Sequence, residues 1–116
     1  MSNKTYLVTG AAGFIGAALT KRLVKAGNRV VTIDNLSTGH PNNIPKNVTF
    51  IEGDCSDITI IDKLKGYRFD TVFHIAGQSS GESSFDDPLY DLKSNVLSTL
   101  LLLDYSKKHH CRKFIY

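Results

Sequence analysis

Apolar residues in this chain fall into short consecutive runs, and the segments between them have helical spacing or are rich in turn-forming residues. The run at residues 6–8 does not alternate with polar positions, which is typical of a strand buried on both faces of a parallel sheet. Comparable runs recur along the whole chain. We predict strands at residues 4–9, 29–33, 48–52, 70–76 and 112–116.

Two helices are predicted in the first half of the chain. The first begins near Phe14 and ends before Gly27, where a left-handed cap is expected. Its predicted sheet-facing stripe consists of Ile15, Leu19, Leu23 and Ala26. The second helix is short and Asp57 can cap it. Its predicted apolar face consists of Ile58, Ile61 and Leu64.

A third helix is predicted to begin at Pro88, with Asp86 or Asp87 as its cap. One apolar stripe runs along it through Leu92, Val96, Leu100 and Leu103. A second apolar face is formed by Leu97, Leu101 and Leu102. We therefore expect this helix to be covered on more than one side.

Strands and helices alternate strictly, which implies right-handed crossovers and a parallel sheet with helices on both faces. The expected fold class is α/β, a Rossmann-type doubly wound parallel sheet with strand order 3-2-1-4-5. A length of 116 residues bounds the chain to one domain, residues 1–116. Ligands of such sheets bind at the carboxyl ends of the strands, where the winding reverses.

Residues 9–16 form a glycine-rich turn between the first strand and the first helix. Gly10, Gly13 and Gly16 answer three demands: a tight turn, room for a diphosphate, and close contact between helix and sheet. The unpaired amides of the helix beginning near Gly13 would face the anion. The alternative is a glycine turn present for conformational reasons only. The strand, the helix and the acidic residue after the next strand favour phosphate binding.

That acidic residue is Asp34. At this position a carboxylate accepts hydrogen bonds from the ribose hydroxyls of an adenosine and repels a 2′-phosphate, which favours NAD over NADP. Asn35 follows it, so no arginine is present at that position to accept a phosphate. The alternative is that Asp34 opens a turn through its side chain. The turn-rich segment 35–45 is predicted to be a surface loop beside the nucleotide.

Other polar residues also follow predicted strands. Asp54 could accept from an adenine amino group, with Cys55 contributing its amide, but a Gly-Asp pair is equally typical of a turn. His74 ends a buried strand and is expected to be a satisfied core histidine rather than a catalyst. Asn95, beside an apolar stripe, is expected to bond to a backbone group near the site. Residues 109–111 are of metal-ligand types, but adjacent side chains rarely bind one ion, so no metal site is predicted.

Composition narrows the function classes. The net charge of +3 is modest and the basic residues are scattered, which disfavours nucleic-acid binding. Cys55 and Cys111 fit no zinc or redox spacing and suit a reducing compartment. The first strand begins too early for a signal peptide, and no apolar stretch has the length of a membrane span. We expect a cytoplasmic protein without a membrane contact.

Together these motifs resemble the N-terminal part of the extended short-chain dehydrogenase/reductase family, especially its NAD-dependent sugar-nucleotide epimerases. The similar segments are residues 9–16, 34–39, 53–55 and 74–77 together with Asn95. The resemblance implies NAD as cofactor. It assigns cofactor binding to Gly10, Ala12, Gly13, Phe14, Ile15, Gly16, Asp34, Asn35, Ser37, Thr38, Gly39, Asp54, Cys55, His74, Ile75, Ala76, Gly77 and Asn95.

The resemblance also implies a nucleotide-sugar substrate in the complete enzyme, with Gln78, Ser79, Ser80 and Glu82 as residues that could touch it. The alternative for these four is a flexible polar loop. In such enzymes hydride leaves a sugar carbon and returns to its other face, with a tyrosine as base and a lysine four residues on. No Tyr-x-x-x-Lys occurs in this sequence. No catalytic residue is therefore assigned, and no turnover is expected from the chain alone.

Two other functions remain open from the sequence. A sugar-nucleotide 4,6-dehydratase or reductase could share this half, and a non-catalytic NAD-binding module could use the same fold. The resemblance further implies a homodimer or another self-association through the helix at residues 88–108. The fifth strand, with which the chain ends, would leave an open sheet edge.

Overall fold

The strands of this chain form one parallel sheet in the computed structural model, which describes residues 4–37, 39–76 and 88–116. The strands are Thr5–Thr9 (β1), Arg29–Asp34 (β2), Thr49–Glu52 (β3), Thr71–His74 (β4) and Lys113–Ile115 (β5). Their order is β3-β2-β1-β4-β5, as predicted. Tyr6 of β1 pairs with Val30 on one side and with Thr71 on the other. The winding therefore reverses between β1 and β4.

The helical segments lie between the strands as the spacing predicts. They are Phe14–Lys25 (α1), Ile58–Asp62 (α2), Pro88–Leu92 (α3) and Ser98–Lys108 (α4). A π-helical turn, Lys93–Leu97, joins α3 to α4, and a 3₁₀ turn, Pro41–Asn43, lies in the segment predicted to be a loop. The two predicted caps of α3, Asp86 and Asp87, lie outside the described residues. In the part of the chain that the structure describes, no helix has the length and apolar character to cross a bilayer.

Two apolar clusters cover opposite faces of the sheet, so the doubly wound architecture is confirmed. Successive residues of β1 point to opposite faces, with Leu7 in the larger cluster and Val8 in the smaller one. Residues of α2 and α4 complete the larger cluster, whereas α1 covers the smaller one. Leu7 and Val8 are both fully buried, which explains why the apolar residues of β1 follow one another without a polar residue between them.

The predicted sheet-facing stripe of α1 is wrong at both ends. Ile15 is 66% exposed, and Ala26 is exposed as well. The buried residues of α1 are instead the small ones, Gly16, Ala17 and Thr20. Small side chains let α1 approach the glycine turn closely, and this approach turns the larger Ile15 toward solvent. The predicted left-handed cap is confirmed, because Gly27 has φ +90°.

The predicted inward face of the short helix α2 is confirmed for Ile61 and Leu64 and is wrong for Ile58. Asp57 caps it as predicted, accepting a hydrogen bond from the Thr59 amide at 2.9 Å. Ile58 is 54% exposed, however, while Ile60 is buried against Gly53. Leu64 is buried, as predicted, although α2 ends before it. A helix of little more than one turn carries too few positions for spacing alone to fix its buried face.

The predicted apolar stripe of the third helix is exposed in this chain. Leu92, Val96, Leu100 and Leu103 are all exposed, and the residues buried against the sheet are Ser98, Leu102, Tyr105 and Ser106. The expectation that several sides of this helix are covered is therefore wrong for the chain described here. The π turn widens one turn of the helix and so shifts the rotational register of everything after it. An uninterrupted 3.6-residue period therefore does not describe this segment.

Candidate cofactor-binding site

The glycine turn lies at the carboxyl end of β1, between the ends of β2 and β4. Gly10 has φ +71°, and its amide donates to the carbonyl oxygen of Ile33 at 2.8 Å. A Cβ atom at Gly10 would lie 2.8 Å from the amide nitrogen of Ala76. Glycine is required here for two reasons, because the left-handed conformation and the backbone of Ile75 and Ala76 both exclude a side chain.

Gly13 and Gly16 meet different demands. A Cβ atom at Gly16 would collide with the backbone of Gly10, so α1 touches the turn with no side chain between them. A Cβ atom at Gly13 would meet only the Gly10 carbonyl oxygen, at 3.4 Å, and the φ of Gly13 is an ordinary −82°. The folded chain by itself therefore does not require glycine at Gly13. That a diphosphate requires glycine at this position stays a prediction.

The first turn of α1 presents an open N-terminus. Gly13 is the N-cap residue and supplies no side-chain cap, and no acidic residue lies in the first turn. Phe14, the first residue of the helix, is 93% exposed. The first amides of a helix have no partner within the helix, and the helix dipole adds partial positive charge there. This end of α1 has the features of an anion site.

Asp34 ends β2 beside this turn and is only 8% exposed. Its Oδ2 atom accepts a hydrogen bond from the Ala12 amide at 2.9 Å, and its Oδ1 atom accepts one from the Leu36 amide at 2.7 Å. Leu36 has φ +60°, so the carboxylate supports a tight local turn, as the alternative interpretation expected. Each carboxylate oxygen has a further lone pair. Contact with a ribose stays a prediction that this geometry permits.

The segment after Asp34 returns to the glycine turn. The carbonyl oxygen of Ala12 accepts hydrogen bonds from the His40 amide at 3.1 Å and from Nδ2 of Asn43 at 2.8 Å. Gly39 lies directly against Ala12. Sequence reasoning placed this loop near the nucleotide but missed Asn43. No local pattern could identify Asn43, because its partner lies 31 residues earlier.

Asp54 follows β3 and makes a local turn. Its Oδ1 atom accepts hydrogen bonds from the amide of Ser56 at 2.9 Å and from the Ser56 hydroxyl at 2.8 Å. This is the Asx-turn geometry that the alternative interpretation expects of a Gly-Asp pair. Cys55 is buried, and burial, aided by the charges of Asp54 and Asp34, raises its thiol pKa to about 12. The contacts of Asp54 and Cys55 with an adenine stay predictions.

His74 lies at the end of β4 and connects three parts of the fold. The Ala76 amide donates to Oγ1 of Thr9 at 3.0 Å, and Oγ1 of Thr9 lies 2.7 Å from Nδ1 of His74. The Thr9 hydroxyl can donate to Nδ1 or accept from it, so the tautomer of the ring sets the direction of this hydrogen bond. Nε2 in turn lies 3.2 Å from Oγ of Ser98, the first residue of α4.

Burial lowers the pKa of His74 to about 4, so the ring is neutral at pH 7. His74 is 2% exposed and both ring nitrogens have protein partners. It has the surroundings of a core histidine, as expected from the sequence. Its partner Thr9 holds the amide of Ala76, whose backbone lies beside Gly10. Its assigned contact with a cofactor, and those of Ile75 and Ala76, stay predictions.

The remaining predicted site residues are spread over several segments. Asn35 accepts from the amide of Ser37 at 3.0 Å on the exposed part of the loop. Asn95 lies half-buried in the π turn, and its carbonyl accepts from the Thr99 hydroxyl at 2.8 Å. π turns frequently occur at functional sites. Outside the described residues lie Thr38, Gly77, Gln78, Ser79, Ser80 and Glu82.

Among the described residues, no three His, Cys, Asp or Glu side chains are grouped so that they could hold one metal ion. His109 instead stacks on the ring of Tyr105, with centroids 4.4 Å apart. Cys55 and Cys111 are both free thiols.

Comparison with protein-family models now identifies the family. The model for the NAD dependent epimerase/dehydratase family matches residues 6–116. The chain belongs to this family. The match includes the glycine turn, the end of β2 and the end of β4, so the candidate site of this epimerase/dehydratase-family chain lies within the matched region.

Individual relatives agree with the family. The UDP-glucose 4-epimerase of Mycolicibacterium smegmatis is 36% identical over an alignment of length 115 that covers 95% of this chain and 37% of that protein. The crystal structure of the Thermotoga maritima UDP-glucose 4-epimerase with UDP-glucose superposes with a TM-score of 0.92 at 37% identity, covering 95% of this chain and 36% of that one.

The Thermus thermophilus UDP-glucose 4-epimerase in complex with NAD gives a TM-score of 0.91 at 35% identity. The match covers 97% of this chain and 36% of that one. The chain thus spans little more than a third of the length of the relatives it matches. These structures confirm the Rossmann-type fold and the resemblance to sugar-nucleotide epimerases.

Proposed function

We propose that this chain is the NAD-binding part of a nucleotide-sugar epimerase of the UDP-glucose 4-epimerase type. One observation carries the proposal: the uncapped N-terminus of α1 and the carboxylate of Asp34 lie together, joined through Ala12. A dinucleotide needs both groups, because its diphosphate seeks unpaired amides while its ribose seeks an acceptor. The relatives named above support the same assignment.

The roles of individual residues follow from their positions. The amides of Phe14 and Ile15 bind the diphosphate over the open space at Gly13. Asp34 accepts from the adenosine ribose and keeps a 2′-phosphate away by its charge. Thr9 holds the Ala76 amide beside Gly10. The chemistry that NAD supplies when bound is reversible removal of a hydride from a sugar carbon.

Proton transfer in this proposal needs residues that the 116 residues do not include. The tyrosines at positions 6, 67, 90 and 105 are followed four places on by Gly10, Thr71, Ser94 and His109, and Tyr116 is the last residue. We therefore expect the chain by itself to bind NAD without epimerising a sugar. The two free thiols suit the reducing cytoplasm that we propose as its location.

We also propose that two copies associate through the exposed apolar row on α3, the π turn and α4. The row comprises Leu89, Leu92, Val96, Leu100 and Leu103, each at least 43% exposed. Five large apolar side chains exposed along one helical segment are a feature of protein–protein contact surfaces. A second copy would offer the same row, which gives a two-fold interface matching apolar against apolar.

Calorimetry with NAD and NADP tests the cofactor assignment directly. NAD should bind at least about tenfold more tightly, because the 2′-phosphate of NADP would face the buried carboxylate of Asp34. Equal or reversed preference would overturn the role given to Asp34.

The epimerase assignment needs a separate experiment. In a chimera, residues 1–116 of this chain replace the corresponding third of the Thermotoga maritima UDP-glucose 4-epimerase. The chimera is then assayed with UDP-glucose. We expect the chimera to epimerise the sugar and the isolated chain to be inactive. A folded chimera that binds NAD but has no activity would contradict the proposal.

A further inference from the structure

Three groups on the described chain hold Ala12 in place. Its amide donates to Asp34, and its carbonyl oxygen accepts from both the His40 amide and Nδ2 of Asn43. The peptide groups on both sides of Ala12 are therefore fixed. Residues 39–43, which we name the clasp, supply two of these three contacts.

The clasp reaches Ala12 because its backbone comes unusually close. A Cβ atom at Gly39 would lie 2.7 Å from the carbonyl carbon of Ala12, so glycine is needed for the approach. The 3₁₀ turn then orients Asn43. His40 begins this turn, and its ring accepts from the Asn42 amide while its carbonyl accepts from the Asn43 amide. The Asn43 side chain is thereby directed at the glycine turn.

The held carbonyl determines which amides remain for an anion. With the Ala12 carbonyl turned toward the clasp, the next amide, that of Gly13, donates to the Gly10 carbonyl at 3.2 Å. The amides of Phe14 and Ile15 are then the first to face outward from α1. A rotation of the Ala12–Gly13 peptide plane would alter this arrangement.

We infer that Asn43 is a positioning residue for the cofactor: it acts through Ala12, and it sets the glycine turn in the shape that receives a diphosphate. The inference rests on the proposed function for the identity of the ligand. Asn43 itself need not touch the cofactor. Its side chain contributes one hydrogen bond, 2.8 Å long, across 31 residues of sequence.

The test uses a matched pair of asparagines in the chain as given. Asn43→Ala removes the donor, and Asn43→Asp removes it while keeping the shape of the side chain. The controls are Asn42→Ala and Asn42→Asp, since the Asn42 side chain has no hydrogen-bond partner among the described residues and is exposed. The Asn42→Asp control also accounts for the added charge near a diphosphate.

Two measurements are made on every variant that urea titration finds fully folded. NAD affinity should fall roughly three- to tenfold in both Asn43 variants and stay within about twofold in Asn42→Ala. Without NAD, the amide resonances of Gly10, Gly13 and Gly16 should shift in the Asn43 variants and not in the Asn42 variants.

The outcomes separate this inference from the proposed function. If wild type binds NAD and Asn43→Ala binds it equally well, the positioning role fails while the proposed function stands. If wild type does not bind NAD, the proposed function fails, and the glycine resonances still decide whether Asn43 sets the turn. Resonances that move alike in the Asn43 and Asn42 variants overturn the inference.

Discussion

The carboxylate of Asp34 accepts a hydrogen bond from the amide of Ala12, 2.9 Å away and 22 residues earlier in the chain. The sequence assigns Asp34 to a ribose and the glycine turn to a diphosphate, as two separate contacts. In the folded chain the two are joined directly. Asp34 therefore helps to shape the turn before any ligand arrives.

Replacing Asp34 by Asn should weaken both the fold and the site. An amide side chain has one oxygen, so it can accept from the amide of Ala12 or Leu36 and must present its NH₂ group to the other. Because Asp34 is buried, we expect a loss of about 1–3 kcal/mol in the free energy of unfolding. The preference for NAD over NADP should also shrink. Urea titration followed by circular dichroism, and calorimetry with both dinucleotides, measure the two effects.

Asp62→Asn is the control for that experiment. Asp62 is exposed and forms only a 3.8 Å surface ion pair with Lys65, so its loss removes the same charge at little cost in stability. An Asp34→Asn variant as stable and as selective as the control would show that the carboxylate has neither role.

Gly13 and Gly16 should respond to alanine in opposite ways. At Gly13 the folded chain has room for a Cβ atom, so Gly13→Ala should cost no more than about 1 kcal/mol of stability, the range for a poorer N-cap. Its methyl group would occupy diphosphate space, and NAD affinity should fall at least about tenfold. At Gly16 the methyl group collides with the Gly10 backbone, so Gly16→Ala should destabilise the fold by about 1–3 kcal/mol or more.

The same two assays separate these glycines. Unfolding curves give the stability of each variant, and NAD titration is carried out where the variant is folded. A Gly13→Ala variant that binds NAD like wild type would mean that the turn does not hold the diphosphate.

His74 should make the stability depend on pH in a defined window. Burial holds its pKa at about 4 in the folded chain, against 6.5 for an ordinary histidine. As the pH falls, the unfolded chain therefore binds this proton before the folded chain does. The contribution of His74 to the free energy of unfolding is complete above pH 6.5 and is lost as the pH falls toward 4. The full effect corresponds to about 3 kcal/mol. Urea titrations between pH 4 and 7.5 measure it.

The variant for this test is His74→Asn, whose side-chain amide can still form a hydrogen bond with Thr9. It should be less stable than wild type at pH 7 and should lose the pH dependence above pH 5, where few carboxylates titrate. The control is His110→Asn, because His110 is exposed and Asn tolerates its φ of +57°. An unchanged slope in His74→Asn would assign the pH dependence to other groups.

The exposed apolar row should control self-association. Leu100 lies near its middle and is 57% exposed, so Leu100→Glu would place a charge in the proposed contact without opening a cavity in the core. Sedimentation velocity should find wild type as a dimer at tens of micromolar and Leu100→Glu as a monomer. Ile58→Glu, at an equally exposed apolar residue on α2, should leave the dimer intact. Equal masses for wild type and Leu100→Glu at every concentration would contradict the interface.

Sequence patterns predicted the strand order because strict alternation of strands and helices implies a doubly wound parallel sheet. They predicted the strands themselves because a run of consecutive apolar residues is a property of each segment by itself. They predicted the Asp57 cap and the left-handed Gly27 for the same reason. The buried faces of the helices were predicted less well. Ile15, Ile58 and Leu100 are apolar residues at correct helical spacing, yet each is exposed. Which face a helix turns inward depends on how closely the next layer lets it approach.

The features of the candidate site also divide into those that the sequence predicted and those that only the structure shows. By itself the sequence determined the glycine turn, the acidic residue after β2 and the polar end of β4, because each meets a requirement of local backbone geometry or charge. Only the tertiary structure decided that Asp34 and Asn43 both hold Ala12, and that His74 ties Thr9 to Ser98. These contacts join residues 22 to 65 positions apart, and their partners are chosen by the packing of strands and loops. No local spacing in the sequence records that packing.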